Sequence, residues 1–255
     1  MKELAITAAR EAGKILMDNF GKIESVTKKD ERELVSNVDL KAENTIIDII
    51  KSKYPDHNIL CEESKWAKTD SEYKWVIDPL DGTHNYIYGV NIFGVSIALE
   101  HKGEIVLGVI NMPYTDHIYW AEKGNGAYLN GKPIKVSERV MKESLAIFDS
   151  GLQKETAVRT GFLAVLAGKV FNTRMFGASS RHLTYIASGV ADLVVEFGDN
   201  PWDFAAGGLI LTEAGGIITK LDGSKWDIYV HGYVASNGKF HDEIINLLKP
   251  FVSKT

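Results

Sequence analysis

Two aspartates, Asp78 and Asp81, follow directly on the apolar run Trp75-Val76-Ile77, which is typical of a buried strand. Pro79-Leu80 separates them. Proline fixes its own φ angle and disfavours a helical conformation in the residue before it, so we expect a sharp turn that brings both carboxylates to one side. Two carboxylates at close range repel, and the pKa of one of them rises unless a cation lies between them. The pattern predicts a divalent metal site, and its oxygen ligands favour Mg²⁺.

The residues after Asp81 suit an anion. Gly82 allows the backbone to approach a ligand closely, and Gly82-Thr83-His84-Asn85 is expected to begin a helical turn whose N–H groups bind phosphate. The hydroxyl of Thr83 is suited to orienting a water molecule. The alternative is a purely structural turn in which the acids cap a helix and form salt bridges, and for an isolated pair of acids that alternative is the commoner case.

Hydrophobic periodicity indicates the elements that hold these residues. We predict an amphipathic helix over residues 1–20 and a second helix over 39–53. Short strands follow, with hairpin turns at His101-Lys102-Gly103 and at Asn130-Gly131. Beyond Ser150 helical and strand-like segments alternate.

The organisation predicted from this pattern is one domain of the α/β class, over residues 1–255. Two approximate subdomains share a cleft near the middle of the chain. Residues 1–150 would contain the helix pair and an antiparallel sheet, and residues 151–255 an α/β unit.

Composition limits the classes of partner. The chain of 255 residues has a formal net charge of -5, which argues weakly against a nucleic-acid backbone as partner. The single cysteine, Cys61, excludes an internal disulfide. No apolar stretch reaches the length of a membrane span, and charges interrupt the N-terminal helix, unlike a signal peptide. We expect a cytoplasmic protein that binds neither nucleic acid nor membrane.

Three runs of the sequence together resemble the inositol monophosphatase family, part of the lithium-sensitive, Mg²⁺-dependent phosphatase superfamily. They are ILCEES (59–64), WVIDPLDGT (75–83) and PWDFAAGGLILTEAGG (201–216). Each alone is moderate evidence, but all three in order within a chain of family length are highly specific. The resemblance covers essentially the whole chain and implies a layered αβαβα sandwich of the sugar phosphatase type. It also favours the metal-and-phosphate interpretation of the two aspartates over the structural turn.

The resemblance implies a set of metal ligands. Glu62 would bind metal and help to activate the attacking water, and Asp78 would be shared between metals. The backbone carbonyl of Leu80 and the carboxylates of Asp81 and Asp203 would complete the set and border the bound substrate. Together they would hold about two or three Mg²⁺ ions.

The resemblance also implies the residues that hold the phosphate and the water. The backbone amides of Gly82 and Thr83 would bind the phosphate. The Thr83 hydroxyl would pair with Asp39, which follows a mobile loop and takes part in catalysis with Glu62. Either Lys28 or Lys29 would be the loop lysine near a further metal.

For the alcohol part of the substrate, the resemblance implies contacts from Glu196, which would accept hydrogen bonds from inositol hydroxyls, and from the small segment Gly177-Ala178-Ser179. Arg181 and His182 stand where many relatives carry apolar residues. Either Arg181 is a specificity device that grips a second phosphate, or both side chains face solvent.

The implied activity is phosphate monoester hydrolysis by a metal-activated water, with inositol 1-phosphate as the first substrate and a homodimer as the assembly. Fructose-1,6-bisphosphatase activity, alone or as a dual activity, is the main alternative. Histidinol phosphate is a further alternative. A 3′-nucleotide phosphatase is disfavoured because that branch has Lys-Glu-Phe where this chain has His84-Asn85-Tyr86. A non-catalytic metal-binding regulator is disfavoured because the expected ligands are all present.

Overall fold

The computed structural model describes residues 1–22, 26–28, 34–64 and 68–252, with the backbone alone for 26–28 and 34–36. The helices are α1 (Lys2–Asn19), α2 (Asn37–Lys51), α3 (Thr83–Ile87), α4 (Thr156–Ala167), α5 (Ser179–Ala187), α6 (Pro201–Glu213) and α7 (His241–Val252). The strands are β1 (Val26–Lys28), β2 (Leu34–Ser36), β3 (Asn58–Cys61), β4 (Tyr73–Asp81), β5 (Gly94–His101), β6 (Glu104–Met112), β7 (His117–Glu122), β8 (Ala127–Leu129), β9 (Lys132–Ile134), β10 (Leu145–Phe148), β11 (Asn172–Arg174), β12 (Leu193–Glu196), β13 (Ile217–Lys220) and β14 (Tyr233–Ser236).

A seven-stranded sheet holds β3 to β9 in sequence order. Its strands pair antiparallel except at one edge, where β3 runs parallel to β4. The sequence predicted an antiparallel sheet throughout, and the difference arises because β3 and β4 are joined by a long connection rather than a hairpin. The predicted hairpin turns are confirmed, since Lys102, Gly103, Asn130 and Gly131 all have positive φ angles.

A five-stranded sheet has the order β11-β10-β12-β14-β13. Its strands β10, β11 and β12 pair parallel, whereas β12, β14 and β13 pair antiparallel. β10 lies before residue 150 but pairs in this second sheet. The predicted division into subdomains at residue 150 stays a prediction.

Alternation of side chains along the strands explains the layers. On β4, Trp75 and Ile77 face α1 and α2, whereas Val76 faces the opposite side, towards α5 and α6. The helices α5 and α6 lie between the two sheets, and α4 and α7 cover the far face of the five-stranded sheet around Phe148 and Phe162. The result is the predicted αβαβα sandwich.

Close packing brings α6 against the seven-stranded sheet. A Cβ atom added at Gly108 on β6 would lie 2.6 Å from the carbonyl oxygen of Ala206 on α6, so no side chain fits there. This contact places the second turn of α6 close against the sheet. None of the helices in the described part of the chain is both long and apolar enough to span a membrane.

Candidate active site

The candidate site begins where β3 ends beside β4. Because the two strands are parallel, with Cys61 opposite Ile77, the residues that follow them, Glu62 and Asp78, reach the same edge of the sheet. Sequence alone places these acids 16 positions apart. Strand pairing is what brings them together.

A β-bulge shapes the end of β4. Asp78 pairs with Ser96 and Asp81 with Gly94, so β4 has one more residue than β5 over this stretch. Pro79, which has no backbone N–H, lies within it. The backbone N–H of Leu80 turns back to donate to Asp78 Oδ1 at 2.9 Å. The sequence predicted a sharp turn after Asp78, but the strand continues to Asp81, and the bulge provides the departure from the regular strand pattern.

The first turn of α5 holds Asp81. The backbone N–H groups of Ser179 and Ser180 donate to its two carboxylate oxygens at 3.1 and 2.7 Å. Unpaired N–H groups at a helix start favour a negative charge, so this contact favours the ionised form of Asp81 and opposes the effect of its burial. The predicted small segment that ends at Ser179 thus contacts a predicted metal ligand directly.

Thr83 and Asp39 are brought together as predicted. Thr83 Oγ1 lies 2.9 Å from the Leu80 carbonyl oxygen and 3.4 Å from Asp39 Oδ1. Gly82, at a φ of 84°, sits immediately before α3, and a Cβ atom there would lie 2.8 Å from the Ile92 carbonyl oxygen. Only glycine fits this left-handed, crowded position. The side chain of Lys28 and the whole of Lys29 lie outside the described residues.

Asp203 comes from the opposite side, in the first turn of α6. Its Oδ2 accepts the N–H of Asn200 at 2.6 Å, and the Asn200 side chain accepts the N–H of Asp203, which makes a capping box. Pro201 occupies the first helical position, where its missing N–H costs nothing. The PWD run therefore encodes a helix start that aims a carboxylate back at β4.

Burial and electrostatic repulsion raise the pKa values of the buried carboxylates. Burial and the charges of Glu62, Asp81 and Asp203 hold the pKa of Asp78 well above its ordinary value. Burial and the charges of Asp199, Asp81 and Glu62 do the same to the pKa of Asp203. Burial also raises the pKa of Asp81 to about 7, although its hydrogen bonds from α5 act in the opposite direction.

Such a donor set fits divalent cations. A cation would relieve the mutual repulsion, and carboxylate and carbonyl oxygens are the ligands that Mg²⁺ prefers. Within residues 1–22, 34–64 and 68–252, no three His, Cys, Asp or Glu side chains already converge on one point. The fit therefore rests on the chemistry and charge of the donors.

A cavity of about 370 Å³ opens beside these carboxylates. Its walls include the predicted residues Glu62, Gly82, Thr83 and Gly177. The remaining lining residues were not predicted as site residues, and they are His84, Asn85, Ser150, Met175 and Phe176.

Asn85 is the most informative of the residues that sequence reasoning missed. Its Nδ2 donates to the carbonyl oxygens of Ile92 at 2.9 Å and Phe176 at 2.7 Å. It thereby ties α3 to the segment that precedes α5. A polar residue two positions after Thr83 was the available signal, but nothing in the sequence indicates its distant partner.

Asp199 was also missed. Its Oδ2 accepts the Ser179 hydroxyl at 2.6 Å, and burial raises its pKa to about 6. It therefore adds a further negative charge beside Asp203 and Glu196. Its position between these two predicted acids was the only sequence signal.

Arg181 and His182 are buried, with 3% and 2% of their surfaces exposed, so the expectation that they face solvent is wrong. The Arg181 guanidinium lies 4.8 Å from the ring centre of Tyr185 and 3.5 Å from Thr115 Oγ1, and Arg181 does not line the cavity. Burial occurs because α5 is enclosed between the two sheets. His182 Nδ1 lies 2.6 Å from Oε1 of Glu196, the predicted contact for inositol hydroxyls.

Comparisons with known proteins agree with this geometry. A family model described as the inositol monophosphatase family matches residues 1–252. The chain is 38% identical to a fructose-1,6-bisphosphatase/inositol-1-monophosphatase of Aquifex aeolicus, over 98% of this chain and 96% of that one. It is 35% identical to the Nus factor SuhB of Escherichia coli, over 98% of each. The solved structure of a Thermotoga maritima IMPase superposes with a TM-score of 0.92 at 32% identity, covering 99% of this chain and 98% of that one.

Proposed function

This chain belongs to the inositol monophosphatase family and is a phosphatase, and we propose that it hydrolyses phosphate monoesters of small polyols, inositol 1-phosphate first. The observation that carries the proposal is the group of mutually repelling carboxylates, Glu62, Asp78, Asp81 and Asp203, beside a cavity that Gly82 and Thr83 also line.

The family is metal-dependent, generally on Mg²⁺. In this chain the carboxylates of Glu62, Asp78, Asp81 and Asp203 and the carbonyl oxygen of Leu80 would hold about two or three ions. When bound, such ions neutralise the phosphate, stabilise the charge that develops on the leaving oxygen and make a water more acidic. The raised pKa values of the aspartates support this assignment, because a cation lowers the free energy of their ionised forms.

The water and the phosphate are positioned by residues of β4, α2 and α3. Asp39 and the Leu80 carbonyl orient the Thr83 hydroxyl, which in turn accepts a hydrogen bond from the attacking water. Glu62, on the cavity wall, takes the proton from that water. The backbone amides of Gly82 and Thr83 hold the phosphate for in-line attack, so inorganic phosphate and the free alcohol leave without a covalent enzyme intermediate.

The alcohol part of the substrate would lie towards α5 and β12. Glu196 accepts hydrogen bonds from its hydroxyls, and the small residues Gly177, Ala178 and Ser179 leave room for the ring. The cavity volume of about 370 Å³ suits a small phosphorylated ring.

Fructose-1,6-bisphosphatase activity is the second candidate, because the Aquifex aeolicus relative carries both activities in its name. A second phosphate needs a cationic partner. The described lining of the cavity contains no lysine or arginine, and Arg181 packs against Tyr185 instead. The monophosphate is therefore placed first.

A third candidate is a non-catalytic role, favoured by the Nus factor name of the Escherichia coli relative. All the proposed ligands are present in this chain, which supports turnover. A homodimer in solution is proposed on family resemblance, and light scattering of the purified protein would test it.

The experiment is phosphate release from inositol 1-phosphate and from fructose 1,6-bisphosphate in parallel, each with Mg²⁺ and with EDTA. We expect Mg²⁺-dependent release from inositol 1-phosphate that greatly exceeds release from the bisphosphate. Greater release from the bisphosphate would reverse the order of the two candidates. Absence of release from both would overturn the catalytic proposal in favour of the non-catalytic role.

A further inference from the structure

A histidine and a glutamate face each other inside the protein, away from solvent. His182 on α5 and Glu196 at the end of β12 approach to 2.6 Å between Nδ1 and Oε1, with 2% and 4% of their side chains exposed. The two atoms are within hydrogen-bonding distance, but their directions fall short of a regular hydrogen bond. A short N···O contact of this kind requires one proton between the two atoms.

Burial of these two polar side chains lowers the stability of the folded state, so a functional role would explain why the contact is present. A buried histidine or glutamate without good partners destabilises the folded state, and an apolar pair of similar volume would pack at lower cost. Burial lowers the pKa of His182 to about 3 and, together with neighbouring acids, holds the pKa of Glu196 well above its ordinary value. Both shifts oppose an ion pair and favour a single shared proton.

The surroundings leave one carboxylate oxygen for another partner. Oε1 is enclosed and faces His182, which leaves Oε2 as the carboxylate oxygen outside this contact. The His182 ring also contacts Phe176, with 6.2 Å between ring centres, and Phe176 is a wall of the cavity. His182 thus lies behind the cavity wall and does not itself line the cavity.

We propose that His182 is a positioning residue that holds the Glu196 carboxylate with Oε2 directed at the hydroxyls of the substrate alcohol. This inference rests on the proposed function, because it assumes a polyol phosphate in the cavity. The proposal predicts that His182 helps to distinguish phosphate esters whose alcohol part carries further hydroxyls from esters whose alcohol part has none. A change at His182 should leave the phosphate-binding and metal-binding groups unaffected.

The experiment compares two substrates in five proteins and one further control variant. Inositol 1-phosphate has hydroxyls for Glu196 to bind, and phenyl phosphate has none. The proteins are the wild type, His182→Leu, His182→Asn, Glu196→Gln and the double variant His182→Leu/Glu196→Gln. A matched control is Tyr185→Phe, which removes only a hydroxyl from the same helix.

For His182→Leu we expect kcat/KM with inositol 1-phosphate to fall about tenfold, close to the value of one hydrogen bond, mostly through KM. With phenyl phosphate the change should stay within about twofold. His182→Asn keeps an N–H donor and should recover most of the loss. The double variant should be no worse than Glu196→Gln alone, since both changes remove the same contact. Tyr185→Phe should behave as wild type.

Equal losses with both substrates, or additive losses in the double variant, would overturn the proposal and leave His182 as a packing residue. If His182→Leu fails to fold, His182→Ala takes its place with the same expected loss, and selectivity that is unchanged in that variant excludes the proposal. A wild-type protein that releases phosphate from neither substrate with Mg²⁺ overturns the proposed function itself. Failure of the proposed function is distinguishable from failure of the His182 proposal, because it appears in the wild-type protein before any variant is compared.

Discussion

Asp78 and Asp192 are both aspartates with almost no exposed surface, 1% and 0%, yet their surroundings are opposite. Asp192 accepts hydrogen bonds from the Ser137 hydroxyl, from Arg139 Nε at 3.0 Å and from the backbone N–H of Leu145 at 2.7 Å. Asp78 accepts one N–H and faces the charges of other acids. Hydrogen-bond donors of the protein compensate the charge of Asp192, whereas neighbouring acids oppose the charge of Asp78. This difference supports the proposal that Asp78 binds metal for the reaction, whereas Asp192 stabilises the fold.

The largest expected effect is on turnover. Asp203→Asn should reduce Mg²⁺-dependent phosphate release from inositol 1-phosphate by at least about 100-fold, more than is typical for residues that only support a ligand. The amide keeps an oxygen for the Asn200 N–H, so the start of α6 should stay folded. Circular dichroism would check the fold.

Asp192→Asn is the matched control for this prediction, with activity within about twofold of wild type in the folded protein. Full activity in Asp203→Asn would show that the assignment of ligands is wrong.

The second effect is on stability. Asp192→Ala should lower the free energy of unfolding by about 2 kcal/mol, because Arg139 and the Leu145 N–H lose their buried acceptor. Arg139 is 38% exposed and keeps some hydration, which limits the loss. Urea denaturation would measure it.

Asp78→Asn in EDTA should change stability in the opposite direction and raise the melting temperature, because it removes a buried charge. A loss of stability there would contradict the comparison between the two aspartates.

The third effect is the pH dependence of the metal-free protein. The folded-state pKa of Asp81 is about 7, above its ordinary value of 3.8, so the folded state binds more protons than the unfolded state between about pH 4 and 7. Stability should therefore fall as pH rises through 7 in EDTA, and Mg²⁺ should restore most stability at high pH. Differential scanning calorimetry from pH 5.5 to 8 measures both.

The variant that checks this assignment is Asp81→Asn, whose stability should change less steeply with pH over the same window. His182 changes stability with pH in the opposite direction. Its folded-state pKa of about 3 lies below its ordinary value, so the unfolded state binds more protons and stability falls as pH falls below about 6.5. The difference in slope between variant and wild type isolates Asp81. An unchanged slope would show that another group titrates.

The smallest effect concerns the hydrogen bond from Ser179 to Asp199. Ser179→Ala removes the hydroxyl that donates to Asp199 at 2.6 Å but keeps the backbone N–H that donates to Asp81. We expect a loss of about 1 kcal/mol in stability and less than about a threefold change in kcat/KM. A larger loss of activity would show that Asp199 itself takes part in the reaction.

The local features of the site could be predicted from the sequence, and the distant contacts could not. The irregular backbone after Asp78 follows from Pro79, although it is a bulge within β4 and not the predicted turn. The start of α6 follows from Pro201 and Asp203, because it is decided by neighbouring residues. The pairing of Thr83 with Asp39 was expected only from family resemblance.

Tertiary contacts explain what sequence reasoning missed. Arg181 has a side chain that is rarely buried, yet packing between the sheets encloses it against Tyr185. The contact between His182 and Glu196 joins a helix to a strand, and no sequence spacing encodes it. The parallel course of β3 depends likewise on a long connection.

The position of Asp203 at the start of α6 has a consequence for biosynthesis. During translation, β4 and its two aspartates leave the ribosome long before α6 is made, because almost half of the chain lies between them. A nascent or truncated chain therefore carries an acidic sheet edge that lacks its last carboxylate. Tight binding of metal ions should begin only when α6 packs between the sheets. Retention of metal would therefore distinguish completely folded chains from incomplete ones.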